Sequence, residues 1–169
     1  MPGCESVREP MRLRVGVAED LPFVMATERL PGHERLTAQW SLEAHRQALA
    51  QDDTRYLLAH RPRDGEVGFV ILQPVADRHE GTKLKRICVN PPGQGLGALV
   101  LRALMDWVFV TLPTDRLWLD VFTHNERARR AYRRAGFTED GLLRAAYRLP
   151  DGATADRVIM SVLRSEWSA

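Results

Sequence analysis

The sequence predicts one α/β domain, a mixed sheet with helices on both faces. Three observations predict it. Apolar residues recur with a period of two in some segments and 3.6 in others, three strand-like segments follow one another in mid-chain, and the strand–helix alternation after them requires parallel pairing as well. A chain of 169 residues is the size of a single domain, because a second core would leave each half short of buried surface. With 44% hydrophobic and 27% charged residues, disordered and fibrous chains are excluded.

Residues 1–11 carry Pro, Gly and charge without periodicity and are read as an N-terminal extension, with the domain over 12–169. Leu13, Val15 and Val17 alternate with Arg14 and Gly16, which predicts a short strand. Glu19-Asp20-Leu21-Pro22 puts acids and a proline at a helix start, and that helix runs to about Leu30 before Pro31-Gly32 breaks it. Ser41 caps a second helix to Gln51, with Leu42, His45 and Leu49 at helical spacing. Arg55 to His60 and Val67 to Gln73 are strands joined by the turn Arg61-Pro62-Arg63-Asp64-Gly65, and Lys83 to Val89 completes an antiparallel meander.

The strongest helix signal follows the loop Pro91 to Gly97: Leu96, Leu99, Val100, Ala103, Leu104, Trp107 and Val108 line one face until Pro113. Leu117 to Phe122 is a strand with Leu117, Leu119 and Val121 on one side and Trp118, Asp120 and Phe122 on the other. Asn125 caps a helix from Glu126 to about Ala135 that Gly136 closes. Two further strands, Leu143 to Leu149 and Arg157 to Leu163, are joined through Pro150-Asp151-Gly152. The order is β-α-α-β-β-β-α-β-α-β-β, which disfavours a doubly wound parallel sheet.

A net charge of +2 is too balanced to predict a nucleic-acid surface. Cys4 and Cys88 do not make a disulfide framework, and a reducing compartment fits them best. The N-terminus lacks a basic-then-apolar leader, and the most apolar stretch, Leu96 to Leu112, is interrupted by Arg102 and Asp106. The expectation is a cytoplasmic protein with no membrane partner. His33, His45, His60, His79 and His124 have no zinc-like spacing, so no metal is expected.

Gly93-Gln94-Gly95-Leu96-Gly97 lies between a strand and the long helix, where backbone N–H groups and a helix N-terminus favour a phosphate. The G-x-G-x-G spacing differs from the dinucleotide fingerprint G-x-G-x-x-G, and no G-K-[ST] marks a P-loop. The segment Leu84 to Leu99, with Asn90-Pro91-Pro92-Gly93-Gln94-Gly95-Leu96-Gly97-Ala98 at its centre, resembles the pyrophosphate-binding motif of the GNAT superfamily of acyl-CoA-dependent N-acetyltransferases. Leu117 to Ala128, continuing through Tyr132 to Gly136-Phe137, is similar to the next motif of that superfamily, with Asn125 and Tyr132 seven apart. The resemblance covers about Leu13 to Leu163 and implies a GNAT-like fold. One departure stands out: family members usually carry Arg or Gln three residues before the middle glycine, and here Pro92 occupies that position in a shortened loop and offers no N–H.

The resemblance implies acetyl-CoA as co-substrate, with Gly93, Gln94, Gly95, Leu96, Gly97 and Ala98 around pyrophosphate, and the strand edge at Ile87 and Val89 pairing with pantetheine amides. It makes Tyr132 the acid that protonates the leaving thiolate and Asn125 a cofactor contact. On residues alone, the favoured reading is Asn125 as a cap and Tyr132 as an amphipathic core residue, because caps and buried tyrosines are common. Asp120 sits where the branch acting on protein N-termini carries its base, and it reads equally as a structural carboxylate. Glu28, His33 and Glu34 lie where this fold receives its acceptor and are weighed as bases or as solvated loop charges. Cys88 in an apolar strand is read as packing, not as an acyl-accepting nucleophile.

The expected activity is acetyl transfer from acetyl-CoA to a primary amine, directly in a ternary complex. The rival is a non-catalytic acyl-CoA-binding or regulatory module on the same fold, which needs neither Tyr132 nor Asp120. Small amines and protein N-termini both stay open as acceptors, and monomer and homodimer both stay open as assembly states.

Overall fold

The computed structural model describes residues 10–33, 39–75, 77–79 and 81–167. Its elements are β1 (Arg12–Val15), α1 (Leu21–Glu28), α2 (Leu42–Leu49), β2 (Arg55–Arg61), β3 (Gly65–Leu72), β4 (Thr82–Val89), α3 (Leu96–Thr111), β5 (Arg116–Phe122), α4 (Glu126–Ala135), β6 (Thr138–Arg148) and β7 (Thr154–Leu163). The element order is the expected one. One seven-stranded sheet runs β1-β2-β3-β4-β5-β7-β6, and every pairing is antiparallel except β4 with β5.

Period-two alternation sorts the strand residues into two cores. Leu117, Leu119 and Val121 of β5 join Val158, Met160 and Val162 of β7 under α3, where Val100, Leu104 and Val108 are fully buried. On the other face, α1 and α2 bring Leu21, Val24 and Ala48 onto Tyr56, Leu58, Phe69 and Ile71. At about 25 cal/mol per Å² of apolar surface, each fully buried Leu or Val contributes roughly 1.5–3 kcal/mol, so the two faces together dominate stability. Among the described residues no helix is long and apolar enough to cross a membrane.

Several boundaries differ from expectation, among them the start of the seventh strand, at Thr154 rather than Arg157. Val17 lies beyond β1 and is exposed, because the chain turns into the 3-10 segment Ala18–Asp20. The first helix ends at Glu28 rather than Leu30. The sixth strand starts at Thr138, five residues before Leu143. Thr138, Glu139, Asp140 and Gly141 show no apolar alternation because this edge strand is exposed there; pairing with β7 extends it regardless, around a bulge between Glu139 and Gly141. Met11, assigned to the extension, packs against the main core. Cys4 and residues 1–9 generally lie outside the described residues.

The feature that positions the site is an irregularity in β4. Leu72 pairs with Leu84 and Ile71 with Arg86, leaving Lys85 as an extra residue. That bulge reverses which face the following side chains meet. Leu84 is buried with α3, whereas Arg86 and Cys88 are buried towards α1. β4 and β5 pair only at Thr82↔Leu117 and Lys83↔Trp118, then diverge.

Gly68 of β3 is the close approach that lets β4 lie in place. A methyl group there would come within 2.5 Å of the Cys88 carbonyl oxygen. Gly68→Ala is expected to cost about 1–3 kcal/mol, read as a fall in Tm of roughly 2–4 °C per kcal/mol. Gly97→Ala is the control, because a methyl at Gly97 meets nothing within 4 Å. A Gly68→Ala melt as high as the control's would show that the strands have room to part.

Candidate active site

Where β4 and β5 diverge, a cleft opens in the sheet, lined by Lys85, Arg86 and Ile87 on one side and Asp120, Phe122 and Arg157 on the other. Asn125, the cap of α4, and Tyr132 within that helix line it as well. The β4 edge from Lys85 to Val89 has no strand partner on the β5 side. Ile87 and Val89 themselves pair with Val70 and Gly68 on the β3 side. Their remaining backbone groups are therefore free to pair with an extended ligand.

The glycine loop enters α3 as the sequence suggested. Gly93 and Gly95 take φ of 85° and 77°, the left-handed region, and Gly95 is the N-terminal cap of α3. Methyl groups at Gly95 and Gly97 would meet nothing within 4 Å, so the backbone there faces open space. Gln94 and Ala98 are exposed, and Leu96 is buried in the main core. Leu96 thus anchors the helix start through its side chain.

Arg127 was not singled out from the sequence. A methyl group on Gly93 would lie 3.5 Å from its Nη2, so this guanidinium of the first turn of α4 stands beside the glycine loop. Its only sequence signal is a cation two residues after the Asn125 cap.

Asn125 does cap α4, its Oδ1 accepting from Ala128 N at 3.1 Å. The residue also lines the cleft, so both readings of it are compatible. Tyr132, two turns on, packs its ring against Phe137 with centroids 5.8 Å apart. Burial raises the phenol well above its ordinary pKa, with the negative charge of Asp120 adding to the rise and Arg157 opposing it. At neutral pH Tyr132 is a fully protonated donor.

Asp120 shares a sheet face with Trp118 and Phe122, as alternation requires, and the structure supplies the reason for a carboxylate among aromatics. Lys83 Nζ lies 3.3 Å from its Oδ1 and Arg157 Nη1 3.0 Å from its Oδ2. The Arg157 guanidinium in turn stacks on Phe122 at 5.0 Å.

Glu28 is not a solvated loop charge. It is 0% exposed at the end of α1, and it accepts from Arg86 Nη1 at 2.8 Å, Arg29 Nη1 at 2.9 Å and Trp40 N at 3.1 Å. His45 Nε2 lies 3.3 Å from the same carboxylate, and His45 Nδ1 is 2.8 Å from the Tyr56 hydroxyl. His33 is part of the bend after α1, and Glu34 lies outside the described residues. Burial pushes the Cys88 thiol up to about 12, so it stays protonated and unreactive at neutral pH. Among the described residues no cluster of His, Cys, Asp and Glu could hold a metal ion.

Comparison with known proteins decides the family. The acetyltransferase (GNAT) domain matches residues 13–138. The chain belongs to the GNAT acetyltransferase family. It is an acetyl-CoA-dependent N-acetyltransferase, and the cleft with its flanking glycine loop suits that co-substrate: an open strand edge, N–H groups at a helix start, and a protonated phenol. Among solved structures, the spermidine N-acetyltransferase of Vibrio cholerae in complex with CoA and spermine is similar to it, with a TM-score of 0.78 at 20% identity over 92% of this chain and 96% of that one. A chimera of that enzyme and hSSAT gives a TM-score of 0.78 at 21% identity, again over 92% and 96%. At such identity these neighbours establish the GNAT fold.

Proposed function

We propose that the enzyme transfers acetyl directly from acetyl-CoA to a primary amine in a ternary complex, with Tyr132 as the acid and Asp120 as the group that receives or relays the ammonium proton. The single observation that carries this reading is the convergence of Tyr132, Asp120 and Asn125 on the cleft where β4 and β5 part. Gly93 to Ala98 hold the pyrophosphate through backbone N–H groups, and Arg127 supplies the side-chain donor that Pro92 cannot. The unpaired edge at Ile87 and Val89 pairs with the pantetheine amides. In the transfer the amine lone pair attacks the thioester carbonyl carbon, the C–S bond breaks, and the sulfur takes the Tyr132 proton as the amine proton leaves towards Asp120.

Two features favour catalysis over a non-catalytic acyl-CoA-binding role: a binding module needs neither a protonated phenol nor an ionic carboxylate at the end of the cleft. The acceptor is a small-molecule amine, as the spermidine acetyltransferase neighbours suggest, with a protein N-terminus as the wider alternative. A cytoplasmic monomer or homodimer without nucleic-acid or membrane partners completes the reading.

The first test is thermal. CoA at about 100 times its Kd is expected to stabilise the protein by about 2.7 kcal/mol, which for this size raises Tm by roughly 5–10 °C, while NADH leaves it unmoved. Release of free thiol from acetyl-CoA with an amine panel, with the acetylated product weighed by mass spectrometry, then separates enzyme from binding module. Stabilisation by NADH alone, or CoA binding with no acetylated amine, would overturn the respective half of the reading.

A further inference from the structure

The acceptor end of the cleft is unusually cationic. On the face of the sheet shared with α1 and α2, Lys83, Lys85, Arg86 and Arg157 gather around two carboxylates, Asp120 and Glu28. Both carboxylates are already engaged: Asp120 by Lys83 and Arg157, Glu28 by Arg86 and Arg29. Lys85 is left without an ion-pair partner among the described residues, its ammonium 5.6 Å from the Trp40 ring centre. Arg86 stacks on the same ring at 4.5 Å.

A second, independent observation points to a missing acceptor. Arg86 has a side chain only 4% exposed, yet its buried Nε has no hydrogen-bond acceptor, and neither has the Nε of Arg157. Both residues line the cleft. Buried donors without acceptors are rare in folded proteins and costly, and they are satisfied most strongly by an anionic oxygen. These cations do not serve the CoA phosphates. Lys85 precedes Val89 by four strand residues, roughly 13 Å at 3.3 Å per residue, and the glycine loop lies beyond Val89.

Resting on the acetyltransferase reading above, we propose that the acceptor is an amine that also carries an anionic group, a carboxylate or a phosphate, held by Lys85, Arg86 and Arg157, and that polyamines are disfavoured. Such an acceptor is zwitterionic at neutral pH. Its anion meets the Lys85 ammonium and the open Nε donors of Arg86 and Arg157, while its ammonium meets Asp120, the one carboxylate of the cleft lining. Burial, with the neighbouring Lys83 and Arg86, lowers the Lys85 pKa, and the charge of Asp120 only partly opposes them. A polycation brings more positive charge to the same place and gains nothing there but Asp120.

The test is equilibrium binding by calorimetry, with the protein free and then saturated with CoA, so that no turnover intervenes. Phenylalanine is paired with phenylalaninamide, O-phosphoethanolamine with ethanolamine, and spermidine is run alongside. The pairs separate carboxylate from phosphate as the preferred anion. At least one anionic member is expected to bind roughly 10-fold or more tightly than its neutral partner and than spermidine. Lys85→Gln is expected to narrow that ratio several-fold, with the melting temperature checked to confirm folding. If neither anionic amine binds more tightly than its neutral partner, or spermidine binds best, or Lys85→Gln leaves the ratio intact, the proposal is overturned. Equal binding of acid and amide would give the arginine donors to the thioester oxygen instead. A failure of CoA to bind in the same titration strikes the acetyltransferase reading, whereas the acid-to-neutral ratio strikes only the acceptor class.

Discussion

Tyr132→Phe is expected to lower kcat by about 10²-fold or more while leaving fold and CoA affinity close to those of the parent. The substitution removes one oxygen and keeps the ring, so the contacts with Phe137 and the main core persist. What it removes is the proton that the departing thiolate takes. Because burial raises the Tyr132 pKa, the group is protonated throughout the neutral range and is lost as a donor only as pH rises through that raised value. The wild-type rate should accordingly show no fall from loss of the Tyr132 proton across the alkaline range in which the fold survives, and the mutant deficit should be similar at every pH in that range. Steady-state kinetics across alkaline pH, with CoA affinity measured separately, provide the check. A mutant with parental kcat would return Tyr132 to the role of a packed aromatic.

The second large effect concerns stability and lies outside the transfer chemistry. Glu28→Gln keeps the shape of the side chain but leaves Arg86, 4% exposed, without its carboxylate. An uncompensated buried charge costs about 3–5 kcal/mol, and for a domain of this size that lowers Tm by roughly 6–20 °C. The exposed pair Arg133–Glu139, by contrast, should be worth less than about 1 kcal/mol. Removing both partners, as Glu28→Gln with Arg86→Met, should recover much of the loss, because no charge is then stranded. Thermal melts of the two singles and the double decide it. A Glu28→Gln protein that melts within a degree or two of the parent would show that water reaches Arg86 and that the network does not support the junction of α1, α2 and β4.

The two effects separate because the sheet divides the molecule. α4 and its Tyr132 belong to one face, while Glu28, His45 and Tyr56 lock the helices of the other face to β2 and β4. The bulge at Lys85 connects them, since it turns Arg86 away from the α3 core and lets the strand part from β5. A buried ion-pair network beside a cleft holds the cleft's walls at a fixed separation, which is what precise placement of two substrates requires.

The order of elements, the glycine loop at the start of α3 and the spacing of Asn125 from Tyr132 were legible in the sequence by itself. Each rests on a local rule: period two or 3.6, capping chemistry, and the conformations open to glycine. Local rules missed β6 from Thr138 to Leu142, where pairing with β7 overrides a polar, patternless stretch. They also missed Arg127, whose place beside Gly93 depends on how α4 docks against α3. Only the tertiary structure decided the character of the charged residues. Asp120 acquired Lys83 from a strand 37 positions earlier and Arg157 from one 37 positions later, and Glu28 acquired Arg86 across 58. Burial and partnership are set by contacts between segments far apart in the chain, so no window of sequence contains them. The cleft itself has the same origin: a single extra residue in β4 has no signature in composition or periodicity, and it becomes an opening only when β5 is laid alongside.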